Sequence, residues 1–105
     1  IEKSYAKPSW FMYPIIVRSD APFTKNQLVE YLERNNIETR SIMVTITSQP
    51  SLANSSLRYK KIGKLPVAEN IKNNGFVIGC HPKIKKPQRA YILKVMTDFC
   101  ESFKC

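Results

Sequence analysis

Glycine and histidine are scarce in this chain of 105 residues, which contains three glycines and one histidine. The glycines, Gly63, Gly75 and Gly79, lie too far apart to form the glycine-rich loop that cradles phosphates. His81 directly follows Cys80, and successive side chains of a strand point to opposite faces of a sheet. The sequence therefore disfavours a Cys–His nucleophilic pair and offers no other motif for independent catalysis.

Cysteine is also sparse, and its spacing excludes a typical zinc site. Cys80, Cys100 and Cys105 have no second cysteine or histidine two to four residues away. An odd number of cysteines without a signal-like segment predicts reduced thiols in a cytoplasmic protein. No apolar run approaches the ~20 residues of a membrane span, so we expect a soluble protein. The chain begins with Ile1 rather than Met, and we therefore expect a processed product or a piece of something longer.

Acidic residues are few, since 8 Asp and Glu stand against 17 Lys and Arg, which gives a formal net charge of +9. Such a charge suggests a nucleic acid or another anionic surface as a partner. The densest basic cluster is interrupted by Ile84, Pro87 and Gln88, and a solvated face at the start of a helix explains it better. The cluster consists of Lys83, Lys85, Lys86 and Arg89.

The stretch over residues 23–50 carries the clearest structural signals. Thr24 and Gln27 have the spacing of a capping box, and Phe23 precedes the cap as in a hydrophobic staple. Asn35-Asn36 predicts the end of this helix, because Asn tolerates the left-handed conformation. The apolar residues between these signals share one helical face: Leu28, Val29, Tyr31 and Leu32.

Three segments rich in β-branched and aromatic residues predict strands, over residues 10–17, 37–44 and 75–80. Pro14 lacks an N–H, so the first strand lies at an edge of the sheet or is bulged at Pro14, whereas the third is apolar enough to be central. Residues 45–65 show no period and predict a long loop. Residues 65–71 predict a short helix that is stopped by Asn73-Asn74-Gly75.

A long helix is predicted from Pro87 to about Phe103. Its expected core stripe is Tyr91, Val95, Met96, Phe99 and Phe103. The order of elements predicts a single α+β domain over residues 1–105, with a small, mostly antiparallel three-stranded sheet and helices packed on one face.

Two side chains could have a functional role: Arg40 within the second predicted strand and His81 directly after the third. Arg40 is either a surface arginine or a clamp for a carboxylate or phosphate, which a planar guanidinium binds in bidentate fashion. His81 is either a polar cap on the end of its strand or a group that faces a ligand. For Arg40 the residues alone favour a surface arginine, and for His81 they leave both alternatives open.

Taken together, the motifs are similar to the C-terminal small domain of pyridoxal-phosphate-dependent sugar aminotransferases of fold type I, the DegT-type family. The closest resemblance is to its CDP-4-dehydro-6-deoxyglucose 3-dehydratase branch in lipopolysaccharide O-antigen biosynthesis. The similarity extends from about Ser9 to Phe103 and rests on the order and spacing of the motifs. The motifs are Trp10-Phe11-x-Tyr13-Pro14-Ile15, Phe23-Thr24-x-x-x-Leu28, Asn36-Ile37-Glu38-Thr39-Arg40, Gln49-Pro50, Leu65-Pro66-x-Ala68-x-x-Ile71 and Asn73-Asn74-x-Phe76-x-Ile78-Gly79-x-His81-Pro82.

The resemblance implies a homodimeric parent enzyme whose large N-terminal domain holds PLP or PMP and the catalytic base. It implies that the small domain closes one side of the cleft and contacts a nucleotide-sugar through Arg40, Gln49 and His81. The cofactor domain is absent from these 105 residues, so we expect no cofactor bound to this chain alone and no turnover by it. The branch has a Gly-Asn pair before Gln49-Pro50 that this chain lacks, and the sugar and the choice between dehydration and transamination stay open.

Two other classes of function remain as alternatives. One is a small basic module that binds nucleic acid, although the aromatic residues are better explained as core and interface. The other is an interaction protein that uses residues 45–65 and exposed apolar faces.

Overall fold

A computed structural model of the chain describes residues 2–42, 45–53 and 58–104. Its sheet has three strands, β1 (Met12–Ile16), β2 (Thr39–Ser41) and β3 (Gly75–Gly79), in the order β1-β3-β2. Both pairings are antiparallel, as the sequence predicts. The apolar third strand is central, and Pro14 lies on an edge strand, where a missing N–H is tolerated.

Within the described residues four helices accompany the sheet: α1 (Lys25–Arg34), α2 (Pro50–Ala53), α3 (Pro66–Asn74) and α4 (Lys86–Ser102). A 3-10 turn over Ile46–Ser48 precedes α2. The described structure is thus the small α+β fold that the order of elements predicts. No helix in residues 2–42, 45–53 or 58–104 combines the length and apolar character that crossing a membrane requires.

The capping signals of α1 work as the sequence predicts. The Gln27 amide N–H donates to Thr24 Oγ1 at 3.3 Å, and the Thr24 N–H donates to Gln27 Oε1 at 2.8 Å. At the other end Asn35 caps the helix, and Asn36 has φ of 60°, in the left-handed region. The helix therefore has fixed ends, and residues 35–38 connect it to β2.

The hydrophobic core lies between one face of the sheet and helices α1 and α4. Phe76 and Ile78 of β3 are buried against Leu28 and Leu32 of α1 and against residues of α4. The ring of Phe99 on α4 lies 4.9 Å from the ring of Phe23, measured between centroids, in an edge-to-face arrangement. The buried core residues are Val17, Leu28, Leu32, Ile37, Phe76, Ile78, Val95 and Phe99.

The predicted core stripe of α4 is correct except at Tyr91. Val95 and Phe99 are buried, and Met96 and Phe103 pack against them. Tyr91 is instead exposed over 47% of its surface. Its hydroxyl donates to the Asn35 carbonyl oxygen at the end of α1, at 3.0 Å. Ile92, one residue later, packs against the core in its place.

Several predicted boundaries are wrong for local reasons. The strand predicted over residues 37–44 pairs with β3 only at Thr39–Ser41, since the Ile37 N–H donates to the Leu32 carbonyl oxygen and closes α1. Residues 43 and 44 lie outside the described residues. Helix α3 extends three residues beyond the predicted end at Ile71, to Asn74. Gly75, the last residue of the predicted stop Asn73-Asn74-Gly75, is its C-cap, and the Gly75 N–H donates to the Ile71 carbonyl oxygen.

The remaining differences concern the first strand, the last helix and the long loop. β1 and α4 each differ by one or two residues at their ends from the predicted 10–17 and 87–103. The loop predicted over residues 45–65 contains the 3-10 turn and α2, since Pro50 can occupy the first turn of a helix without losing a hydrogen bond.

Gly75 is required where α3 turns directly into the central strand. A Cβ at this position would lie 2.4 Å from the Ile71 carbonyl oxygen and 2.8 Å from Ile42 Cδ1. A Cβ at Gly79, at the other end of the same strand, would meet nothing within 4 Å. The two glycines therefore allow a matched comparison, because a side chain has no room at Gly75 and open space at Gly79.

We expect Gly75→Ala to lower the free energy of unfolding by about 1–3 kcal/mol, because the backbone oxygen of Ile71 cannot move aside cheaply. Gly79→Ala should change it by less than about 1 kcal/mol. Urea unfolding followed by circular dichroism measures both, and equal effects of the two substitutions would contradict the packing at Gly75.

Glu33 ties the end of α1 to the start of β2. Its Oε1 accepts hydrogen bonds from the Thr39 N–H and from the Thr39 hydroxyl, both at 2.7 Å. These bonds, the hydroxyl bond foremost, hold the pKa of the Glu33 carboxyl below its ordinary value of 4.5. The link therefore stabilises the fold when Glu33 is ionised, and its contribution is lost as the pH falls through the lowered pKa.

An NMR titration of the Glu33 side-chain carboxyl carbon should give a midpoint below 4.5 in the unmodified chain. Thr39→Val removes the hydroxyl donor and should move the midpoint upward. Thr97→Val, which removes a hydroxyl that donates to the Leu93 carbonyl oxygen, should leave it unchanged. A Glu33 midpoint at or above 4.5 in the unmodified chain would contradict the hydrogen-bonded geometry.

Candidate functional site

A groove of about 800 Å³ lies at the end of the sheet where β1 begins and β3 ends. The first turns of α4 form its wall on one side, and the connection from α1 to β2 forms the other. Most of the lining is apolar. The apolar lining residues are Phe11, Met12, Ile37, Val77, Ile78, Gly79, Ile84, Pro87 and Ile92, and the polar ones are Asn36, Glu38, Arg40, Gln88 and Tyr91.

The two walls are joined by one hydrogen bond. The Tyr91 hydroxyl on α4 donates to the carbonyl oxygen of Asn35, which caps α1. The buried core holds the two helices against the sheet behind the groove. The hydrogen bond between Tyr91 and Asn35 joins the same helices at the rim of the groove. The groove is therefore held open by structure on both sides, as expected of a preformed ligand site.

Arg40 is the candidate residue that lines the groove, and it lies at the centre of β2 opposite Val77. Its Nε and Nη2 donate to the same oxygen of Glu38, Oε1, at 3.0 and 2.9 Å. Both side chains are largely exposed, at 79% for Arg40 and 73% for Glu38. An ion pair this exposed contributes only about 0–1 kcal/mol, so a ligand anion can compete with it.

Gln49 lies in a different segment and does not line the described groove. It caps the 3-10 turn, with its N–H donating to the Ile46 carbonyl oxygen at 3.1 Å, and Pro50 then begins α2. The side chain is half-buried. The predicted Gln-Pro motif thus forms the junction between two short helical segments.

His81 follows β3 and is exposed, and it also lies outside the described groove lining. Its Nδ1 accepts a hydrogen bond from the Lys83 N–H at 3.1 Å, and its carbonyl oxygen accepts one from the Ile84 N–H at 3.0 Å. This geometry is that of a polar cap on the turn into α4. It leaves Nε2 as the imidazole nitrogen that can meet a ligand.

Positive charge borders the groove at the start of α4. The basic cluster predicted from the sequence flanks the lining residues Ile84, Pro87 and Gln88, and all four of its side chains are exposed. Within the described residues none of the four forms an ion pair with a carboxylate. The cluster consists of Lys83, Lys85, Lys86 and Arg89. An anionic ligand at the groove would therefore meet a favourable potential.

Metal binding finds no support in the part of the chain that the structure describes, where no group of three or more His, Cys, Asp or Glu side chains could hold an ion. Cys80 is half-buried and Cys100 is exposed, and both are free thiols. Cys105 lies outside the described residues.

Three residues contribute to this region in addition to the predicted ones: Glu33, Glu38 and Tyr91. Glu38 lies two residues before Arg40, and the period of a strand could have identified it as a neighbour on the same face. Glu33 and Tyr91 act across turns or between helices, at sequence separations of 6 and 56 residues from their partners. No periodicity in the sequence signals such pairs.

Comparison with known proteins gives the wider context. Residues 1–97 match the sequence profile of the DegT/DnrJ/EryC1/StrS aminotransferase family. The chain is 30% identical over 96 residues to dTDP-4-dehydro-2,6-dideoxy-D-glucose 3-dehydratase of Saccharopolyspora spinosa. The aligned stretch covers 90% of the chain and 20% of that protein. The chain is also 29% identical over 93 residues to the lipopolysaccharide biosynthesis protein RfbH of Salmonella typhimurium strain LT2. This aligned stretch covers 88% of the chain and 21% of that protein.

The chain thus spans about a fifth of the length of these relatives. The resemblance inferred from the motifs of the sequence agrees with both the family and the kind of relative found. Because the match extends over residues 1–97, the chain belongs to the DegT/DnrJ/EryC1/StrS aminotransferase family.

Proposed function

We propose that this chain is the substrate-side domain of a PLP- or PMP-dependent nucleotide-sugar aminotransferase or 3-dehydratase in O-antigen or polysaccharide sugar biosynthesis. It acts with a large cofactor-binding domain, in cis or in trans, in a homodimeric cytoplasmic parent enzyme. The names of two relatives, a nucleotide-sugar 3-dehydratase and a lipopolysaccharide biosynthesis protein, support this proposal. The observation that carries it is the groove with Arg40 in its lining.

The guanidinium of Arg40 suits the diphosphate of a nucleotide-sugar. Glu38 occupies the edge formed by Nε and Nη2, and Nη1 has no hydrogen-bond partner within the described residues. The edge formed by Nη1 and Nη2 can therefore donate two parallel hydrogen bonds to phosphate oxygens. The unpaired lysines and arginine at the start of α4 add attraction over a longer range.

Gln49 and His81 complete the proposed set of substrate contacts. The Gln49 amide offers a donor and an acceptor of the kind that sugar hydroxyls require. His81 offers Nε2, because Nδ1 is engaged by the Lys83 N–H. Each comes from a different segment than Arg40, so the three would contact separate parts of a bound nucleotide-sugar.

The groove does not fit the cofactor. The family is PLP-dependent, and PLP requires a lysine for covalent attachment or, in the dehydratase branch that the sequence resembles, a histidine base in its place. The groove lining described here contains neither residue. We therefore assign the cofactor of the parent enzyme to the large domain.

The role that follows for the chain is positioning. Binding energy from the nucleotide, which does not react, can hold the sugar in the geometry that the reacting groups need. An apolar groove with one exposed guanidinium is suited to hold a ligand in place rather than to transfer protons.

We expect the uniformly ¹⁵N-labelled chain to bind dTDP-glucose or CDP-glucose, with amide shifts at residues that line the groove. Arg40→Ala should weaken this binding about tenfold, since a hydrogen bond to a charged group contributes roughly 1.5 kcal/mol. Dissociation constants from NMR titrations at fixed salt measure the effect.

Arg18→Ala is the matched control. Arg18 also pairs with a carboxylate two residues away, Asp20, and also lines a depression, of about 250 Å³. It follows β1, whose last residue pairs with the first residue of β3, so it lies at the opposite end of the sheet. Equal losses in the two variants, or no loss in Arg40→Ala, would refute the role given to Arg40.

We also expect the 105-residue chain, mixed with PLP, to show no stoichiometric cofactor absorbance after desalting and no turnover of a nucleotide-sugar. Absorbance spectra and product chromatography test this expectation. A stoichiometric band that a single Lys→Arg substitution abolishes would place a cofactor site on this chain and overturn the proposed division of roles.

A further inference from the structure

The short strand that carries Arg40 is held from two sides. β2 contains only Thr39–Ser41 and pairs with β3 along one edge. On the other side the carboxylate of Glu33 binds both the N–H and the hydroxyl of Thr39, the residue before Arg40. A strand of three residues has few ladder hydrogen bonds, so this second attachment matters for its position.

Glu33 itself stands on a rigid support. It lies in the last turns of α1, a helix with a capping box at its start and with Leu28 and Leu32 buried in the core. The carboxylate therefore transmits the position of α1 to the backbone of β2. Because Glu38 and Arg40 flank Thr39, the same contact also orders the ion pair at the groove.

We propose that Glu33 is a positioning residue for the nucleotide-sugar site: by holding Thr39, it fixes the backbone that presents the Arg40 guanidinium to the groove. This inference rests on the proposed function, because it assigns a purpose to the placement of Arg40. Glu33 is absent from the groove lining described here, so it acts through Arg40 and not by contact with the ligand.

The atoms involved suggest an exact rescue variant. Both hydrogen bonds from Thr39 end on one oxygen, Oε1, and Oε2 has no hydrogen-bond partner within the described residues. Glutamine can place its amide oxygen where Oε1 lies and its NH₂ group where Oε2 lies. Glu33→Gln therefore keeps the link without the charge, whereas Glu33→Ala removes the link.

The experiment measures binding of dTDP-glucose or CDP-glucose to four variants of the 105-residue chain: Glu33→Ala, Glu33→Gln, Arg40→Ala and the double variant Glu33→Ala/Arg40→Ala. We expect Glu33→Ala to weaken binding about three- to tenfold, and Glu33→Gln to bind within about twofold of the unmodified chain. In the Arg40→Ala background, Glu33→Ala should have no further effect, because its action passes through Arg40.

A second measurement does not depend on the ligand. The ¹⁵N order parameters of the Thr39 and Arg40 amides should fall in Glu33→Ala and be retained in Glu33→Gln. Glu30→Ala is the matched control, since Glu30 is also on α1 and pairs with an arginine of the same helix, Arg34. It should leave both order parameters unchanged.

The outcomes separate this inference from the proposed function. If the unmodified chain binds neither nucleotide-sugar, the proposed function fails, and the order parameters still decide whether Glu33 fixes β2. If Arg40→Ala weakens binding but Glu33→Ala does not, or if the two losses multiply in the double variant, the positioning role is refuted. Unchanged order parameters in Glu33→Ala refute it as well.

Discussion

Burial of the central strand β3 is the constraint on which the rest of this structure depends. Phe76, Val77 and Ile78 are all nearly inaccessible to water. Phe76 and Ile78 anchor α1 and α4 on one face, while Val77 lies between Pro14 and Arg40 of the neighbouring strands. Removing three such side chains from water contributes roughly 1.5–3 kcal/mol each. The groove forms where this strand ends, between the first turns of α4 and the connection from α1 to β2.

The parts of the fold that could be predicted are those with local signals. The capping box of Thr24 and Gln27, the turn at Asn35-Asn36 and the apolar run of β3 all depend on neighbours in sequence. The β2 boundary could not be predicted, because it depends on how many residues reach β3 rather than on residue type. Tyr91 was misplaced for a similar reason, since a hydroxyl at a helical core position can prefer a distant carbonyl oxygen at the rim.

The candidate site likewise combines a residue that a local motif predicts with residues that only the folded structure brings together. Arg40 was predicted from its residue type and its motif, and it lines the groove. Gln49 and His81, which also came from motifs, lie outside the described lining, and their contacts with a ligand stay predictions. Glu33 and Glu38, which determine how Arg40 is held, were not foreseen. A motif identifies the residue that meets a ligand more easily than the residues that support it.

The proposed function divides the work of the parent enzyme between two domains. The relatives are about five times longer than the stretch that matches, and the groove described here lacks the residues for holding the cofactor of the family. What this stretch contributes is a rigid end of a sheet with an exposed guanidinium and a positive border. In the proposed function, such a module would hold the nucleotide-sugar while the large domain supplies the cofactor and the base.

The contact between Glu33 and Thr39 also affects how the molecule meets its surroundings. The outer edge of β2 is the kind of exposed sheet edge to which a foreign strand can add itself through backbone hydrogen bonds. Glu33 occupies the backbone donor of Thr39, and its carboxylate places a negative charge along that edge. Glu33 thus also disfavours the pairing of another chain with the exposed edge of β2.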